Sequence, residues 1–244
     1  KVIGRLGVGL DNIDVATCKA RGIEVIPATG ANALAVAEYV IGASMMLLRG
    51  TYASSHAVAE GQWPRNALSN GREAAGKTLG LIGFGGIGQL TAKLARGLGM
   101  RVMAHDPLIP AGAAVWKVQE TEPASLDELL AESDVVSLHV PLIDTTRNLL
   151  NASRLALMKS HAVLINTARG GIVDEVALSA ALKAGKLGGA ALDVFELEPL
   201  PAANAFADCP NLLLTPHIAG LTVESNERVS TMIAERVAEF LTAG

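Results

Sequence analysis

Residues 78–95 read TLGLIGFGGIGQLTAKLA, an apolar run that breaks into glycines and resumes with a different period. Leu79–Ile82 suits a strand buried on both faces. After it, Ile87, Leu90, Leu94 and Leu98 recur at helical spacing. Between the two stand Gly83, Gly85 and Gly88 in GxGxxG order. Such turns occur without ligands, so the pattern alone settles little; its place between a strand and a helix gives it meaning. A helix N-terminus offers unpaired N–H groups and a partial positive charge to a pyrophosphate, and glycine at 85 lets the backbone come close.

The next strand ends in VMAHDP, placing Asp106 18 residues beyond Gly88 (106 − 88). That is near the distance at which an acid meets the ribose hydroxyls of a dinucleotide. A carboxylate there repels a 2′-phosphate, and LIPAGAA after it contains no arginine, so NAD is expected rather than NADP. The competing reading of Asp106 is a turn residue ahead of Pro107.

From residue 77 onward strand-like and helix-like stretches alternate. Strands are expected at Leu79–Ile82, Arg101–Ala104, Val135–Val140, Ala162–Ile165, Ala190–Val194 and Leu212–Thr215, six in all. Ser125 with Glu128 forms a capping box, Asp174 opens a helix with Leu178, Ala181 and Leu182 on one face, and Thr222 caps a last helix striped by Val229, Met232, Ile233, Val237, Phe240 and Leu241. Ahead of this block lie strands at Lys1–Arg5 and Ile23–Ile26, then a helix with Leu34, Ala37, Ile41, Met45 and Leu48 in phase. A polar loop follows at 60–66. The fold class is therefore α/β, a doubly wound parallel sheet of Rossmann type.

Composition agrees. Hydrophobic residues make up 50% and aromatics 3%, and the net charge is −4. Few rings and no basic excess argue against nucleic acid and anionic lipid as partners, and no apolar run is long enough to span a membrane. Cys18 and Cys209 match no metal spacing, so no metal is expected, and reduced thiols suit a cytoplasmic protein.

In open α/β sheets ligands bind beyond the carboxyl ends of the strands. The last four strands end in SLHVP, LINTARGG, LDVFELEP and LLLTPHIAG, which brings His139, Asn166 with Arg169, Asp193 with Glu198, and His217 to one edge. His161 precedes its strand and belongs to the opposite edge. His105 and His139 abut apolar strand residues and are expected to pack or to bond backbone, and His56 lies in a polar stretch. Arg, Glu and His beside a nicotinamide point to hydride transfer at a carbonyl next to an acid group. A guanidinium holds a carboxylate by paired hydrogen bonds and polarises the neighbouring C=O. An imidazole supplies the proton, and an adjacent carboxylate favours its charged form. His217 is the candidate acid/base and Glu198 its orienting partner.

Five segments in order, GRLGVGLDNID (4–14), IGFGGIG (82–88), LINTARGGIVDE (164–175), ALDVFELEP (191–199) and TPHIAG (215–220), resemble the D-isomer-specific 2-hydroxyacid dehydrogenases of the phosphoglycerate dehydrogenase-like branch. The resemblance implies a two-domain subunit, NAD as cofactor, a small anionic 2-hydroxy or 2-oxo acid as substrate, and a homodimer to which the helix near 33–48 contributes while crossing between domains. It implies catalytic roles for Arg169, Glu198 and His217, substrate contacts from Val8, Gly9, Arg169 and His217, and a nicotinamide carboxamide contact from Asp193. The cofactor set it implies is Gly83, Gly85, Gly86, Ile87, Gly88, Asp106, Pro141, Thr167, Ala168, Asp193, His217 and Gly220. Residues 1–22 correspond to a remnant of a substrate-binding domain, 23–225 to the NAD-binding domain, and 226–244 to a helix returning toward the substrate side. Most of that substrate lobe precedes KVIGRLGVG in the family and is missing from this sequence. Glu198 separates the chain from formate dehydrogenases, which carry Gln there; phosphite dehydrogenases share all three catalytic residues. The alternatives are a non-catalytic NAD-sensing scaffold related to transcriptional corepressors and a bare dinucleotide-binding module, the latter leaving Arg169, Glu198 and His217 without a purpose.

Overall fold

The computed structural model describes residues 1–10 and 12–242. Asp11, within the first of the quoted segments, and residues 243–244 of the expected terminal helix lie outside the described residues. Along the chain run β1 (Val2–Arg5), α1 (Val15–Ala20), β2 (Glu24–Pro27), α2 (Ala33–Arg49), α3 (Ser55–Ala59), β3 (Thr78–Ile82), α4 (Gly86–Gly97), β4 (Arg101–His105), α5 (Ala114–Val118), β5 (Glu122–Pro123), α6 (Leu126–Glu132), β6 (Val135–Leu138), α7 (Ala152–Leu155), β7 (Val163–Asn166), α8 (Glu175–Lys183), β8 (Gly189–Leu192), β9 (Leu212–Leu214) and α9 (Val223–Thr242). Two compact units result, one of residues 1–36 with 220–244, the other of residues 37–219. These limits differ from those at 22/23 and 225/226, because β2 pairs with β1 and α9 packs on both.

The larger unit holds a seven-stranded sheet in the order β5-β4-β3-β6-β7-β8-β9, every pair parallel. The order reverses between β3 and β6, which opens the crevice where doubly wound sheets take their ligands. Strands β3, β6, β7 and β8 are buried throughout, as expected for strands covered on both faces. Alternation divides them between two cores. Leu79, Leu81, Val135, Val163 and Ile165 face the helices α2 and α4, while Ile82, Val136, Leu138 and Leu164 face α6 and α8.

Six strands of this sheet are those expected from the sequence. The seventh, β5, is two residues long and ends in Pro123, too short to show a period. Expected helix faces shift in two places. On α4 the inward side is Gly88, Thr91, Ala92 and Ala95, with the leucines only partly covered, because a helix this close to the sheet admits small side chains. On α2 the buried face is Ala37, Val40, Ala43, Ser44, Leu47 and Leu48, whereas Met45, placed in the apolar stripe, is exposed. The caps at Ser125, Asp174 and Thr222 form as expected.

In the smaller unit β1 and β2 pair, and α9 covers them with Val229 and Ile233. The far end of its stripe, Phe240 and Leu241, is exposed. Among the described residues no helix is long and apolar enough to cross a membrane.

Candidate active site

The turn from β3 into α4 is built on backbone proximity. Gly83 has φ +95°, and a Cβ there would lie 2.5 Å from the His139 carbonyl oxygen across the sheet's switch point. A Cβ at Gly88 would meet the Gly83 oxygen at 2.5 Å. Those two positions are glycine for the fold's sake. Gly85 is different: a Cβ there would touch nothing within 4 Å, and its φ of −74° suits any residue. Its lack of a side chain leaves bare the N-terminus of α4, which no side chain caps, so the first-turn amides of Gly86, Ile87 and Gly88 have no intrahelical partner. The arrangement fits a pyrophosphate.

Asp106, at the end of β4, accepts from the Phe84 amide at 2.9 Å through Oδ2 and from Leu108 N at 3.0 Å through Oδ1. It is thus both the turn residue of the competing reading and a tether on the glycine loop, a contact the sequence did not disclose. His105 bonds the Ala124 carbonyl through Nδ1, as expected of a packed histidine. His139 pairs with Ser137, and burial of its ring lowers its pKa to about 4, so it stays neutral and structural. His161, at the opposite edge, bonds Asp134 at 2.9 Å, and His56 pairs with Glu60 at the surface.

Beyond β7 the backbone turns sharply. Asn166 accepts from Ala168 N at 3.0 Å and donates to the Arg169 carbonyl at 2.9 Å, fixing the conformation of residues 166–169. Arg169 donates to the Ala168 carbonyl through Nη1. The Thr167 hydroxyl is buried without a hydrogen-bond partner. An orphaned hydroxyl costs stability unless something satisfies it, and its place at the carboxyl edge suits a cofactor polar group. Pro141 lies after β6, its carbonyl bonded by Thr146.

Asp193 directly follows β8 and is 1% exposed. It accepts from the Thr215 hydroxyl at 2.6 Å and from the amides of Ile218 and Ala219 at 2.8 Å each. It therefore grips the loop after β9 on both sides of His217. That loop carries His217 at φ +58°, a region that residues with a side chain rarely adopt. His217 Nδ1 lies 2.7 Å from Glu198 Oε2, while Glu198 Oε1 accepts from the Phe195 amide at 3.0 Å. Partial burial raises the Glu198 pKa, but bonds from His217 and Phe195 N and the charges of His217 and Arg169 together outweigh it and leave the carboxyl below its usual range. At neutral pH Glu198 is an acceptor only, so Nδ1 of His217 carries its hydrogen and Nε2 is left to exchange a proton. The imidazole is half-exposed and borders an apolar cavity lined by Phe195, Leu200, Leu214 and Pro216.

The structure thus brings Glu198, His217 and Asp193 together, with Arg169 near enough to act on Glu198. Val8, Gly9 and Gly220 belong to the smaller unit. There Gly9 accepts from Arg5 Nε at 3.2 Å, and Gly220 faces Asn32 and accepts from Ser225. The sequence reading did not single out Tyr39, whose hydroxyl lies 2.6 Å from that of Thr215. The two lie 176 positions apart in sequence, so no local pattern could have revealed the pair.

Residues 41–219 match the family model for the NAD-binding domain of D-isomer specific 2-hydroxyacid dehydrogenases. The chain is 54% identical over 241 residues to (S)-sulfolactate dehydrogenase of Chromohalobacter salexigens, covering 99% of this chain and 77% of that one. It is 41% identical over 241 residues to D-3-phosphoglycerate dehydrogenase of Methanocaldococcus jannaschii, with 99% and 45% covered. The crystal structure of NAD-dependent formate dehydrogenase from Staphylococcus aureus in complex with NAD superposes with a TM-score of 0.87 at 33% identity, over 99% of this chain and 72% of that one. The chain belongs to the NAD-dependent D-isomer specific 2-hydroxyacid dehydrogenases.

Proposed function

We propose that the site interconverts a D-2-hydroxy acid and its 2-oxo acid with His217 as acid/base. The observation that carries this is the 2.7 Å bond from His217 Nδ1 to an ionised Glu198, which orients the ring and holds the positive charge that forms when Nε2 takes the proton. Bound NAD supplies or accepts the hydride. The chain's residues for holding it are the bare loop at Gly83, Gly85, Gly86, Ile87 and Gly88, Asp106 for the ribose, the unpartnered Thr167 hydroxyl with Pro141, Ala168, Asp193 and Gly220, and the edge of His217. Arg169 holds the substrate carboxylate and polarises the adjacent carbonyl. Val8 and Gly9 are proposed as further carboxylate ligands through their backbone.

The substrate proposed is a three-carbon acid with a second anionic group on C3. Within that class the 54% identity to a sulfolactate dehydrogenase favours sulfolactate over phosphoglycerate, whose dehydrogenase is matched at 41%. The (S) descriptor agrees with D-specificity, because a sulfur-bearing C3 outranks the carboxylate and inverts the label without inverting the centre. A cytoplasmic location and a homodimer complete the reading. The test is NADH consumption by the protein against glyoxylate, hydroxypyruvate, phosphohydroxypyruvate, sulfopyruvate and pyruvate. Preference for sulfopyruvate supports the assignment; preference for phosphohydroxypyruvate moves it to the phosphoglycerate branch. Tight NADH binding with no reduction of any of them leaves the scaffold reading in its place.

A further inference from the structure

Two backbone amides and the Thr215 hydroxyl all point hydrogen at Asp193, so its carboxylate is the acceptor in each bond. Thr215 has one proton and spends it there, at 2.6 Å. The Tyr39 hydroxyl, 2.6 Å from the same Thr215 oxygen, must then be the donor. The bonds form a directed chain from Tyr39 on α2, through Thr215 directly after β9, to Asp193 directly after β8. Its far end is the loop that carries His217 at positive φ. Such a conformation persists only where the surroundings hold it, and Asp193 holds it from within at residues 215, 218 and 219.

We propose that Tyr39 is a positioning residue for the acid/base: by donating to Thr215 it fixes the hydroxyl that ties the 215–219 loop to Asp193, and so keeps His217 in register with Glu198. This rests on the reading of His217 as the acid/base. Burial raises the Tyr39 pKa, and the Asp193 charge adds to the rise against the opposing bond to Thr215, so Tyr39 remains a donor over the working pH range. Removing the hydroxyl leaves a part-buried Thr215 oxygen short of one partner and free to turn away from Asp193. The consequence falls on geometry, since neither Tyr39 nor Thr215 exchanges a proton with substrate.

The test compares Tyr39→Phe, Thr215→Val, the double variant and Thr215→Ser with the wild type. Tyr39→Phe keeps the ring's volume and is expected to lower kcat about tenfold, the scale of a small misplacement of a catalytic group, with the oxo-acid KM and the NADH Kd within about twofold. Thr215→Val is expected to lose as much. The double variant loses no more than Thr215→Val, because Tyr39 acts only through that hydroxyl. Thr215→Ser restores most of the turnover. In the same proteins without substrate, the imidazole NMR signals of His217, assigned by their loss in His217→Ala, should be one sharp set in the wild type and broadened or doubled in Tyr39→Phe. Wild-type kcat with an unchanged imidazole signal in Tyr39→Phe overturns the proposal, as do losses in the double variant equal to the product of the singles. If the wild type reduces no oxo acid, the proposed function fails, while the NMR comparison still decides the role of Tyr39.

Discussion

At the scale of single residues the site depends on what each side chain can no longer do. Glu198 is ionised, so it cannot donate; Asp193 has three donors on it, so it serves the loop before any ligand. The Glu198 pKa is depressed in the folded chain, so its ionised form adds stability that is complete above the unfolded value near 4.5 and is lost as pH falls through the lower folded value. Glu198→Gln removes that dependence. Melting temperatures from pH 7 to pH 3 should show the wild type's margin over the variant shrinking below about pH 4.5. The margin is small, about 1 kcal/mol or less, because the carboxylate is over a third exposed. A margin that grows toward acid pH would show that the pair does not stabilise the carboxylate. His217 and Glu198 were legible in the sequence because both follow apolar strands that end at one edge. The second role of Asp106, and the Tyr39 to Thr215 bond, were not, because hydrogen bonds between distant segments leave no period or spacing behind.

At the scale of elements, the strand, glycine turn and helix at 78–97 were readable because three physical demands coincide there: burial on both faces, positive φ, and an open helix N-terminus. The short β5 was not, since two residues show no period, and neither was the inward face of α4, since a sheet contact of alanine, glycine and threonine carries little hydrophobic contrast. The glycine turn also separates fold from function. Gly88→Ala drives a methyl toward the Gly83 carbonyl and should cost about 1–3 kcal/mol, read as a lower melting temperature. Gly85→Ala meets no neighbour, so stability should stay within about 1 kcal/mol of wild type. NADH affinity should still fall about tenfold or more, because the methyl stands where the pyrophosphate approaches the backbone. Fluorescence titration with NADH checks this, and wild-type affinity in Gly85→Ala would remove the loop from the cofactor site.

At the scale of the whole molecule, the larger unit supplies a buried parallel sheet whose carboxyl edge gathers the glycine loop, Arg169, Asp193, Glu198 and His217. The outer side of α2 leaves Met45 and Met46 at 45% and 40% exposure, on a helix otherwise rich in buried apolar residues. The homodimer proposed above would use this exposed pair in its contact. Met45→Lys with Met46→Lys should therefore shift sedimentation from dimer to monomer at micromolar concentration; a wild type that is already monomeric there would contradict the assignment. The central claim is that His217 moves the proton, and its most direct measurement is the turnover of His217→Ala with saturating NADH and sulfopyruvate beside an NADH binding titration. The account predicts a loss of about 100-fold or more in kcat with NADH affinity unchanged. Turnover within a few-fold of wild type would contradict it and return His217 to a packing role.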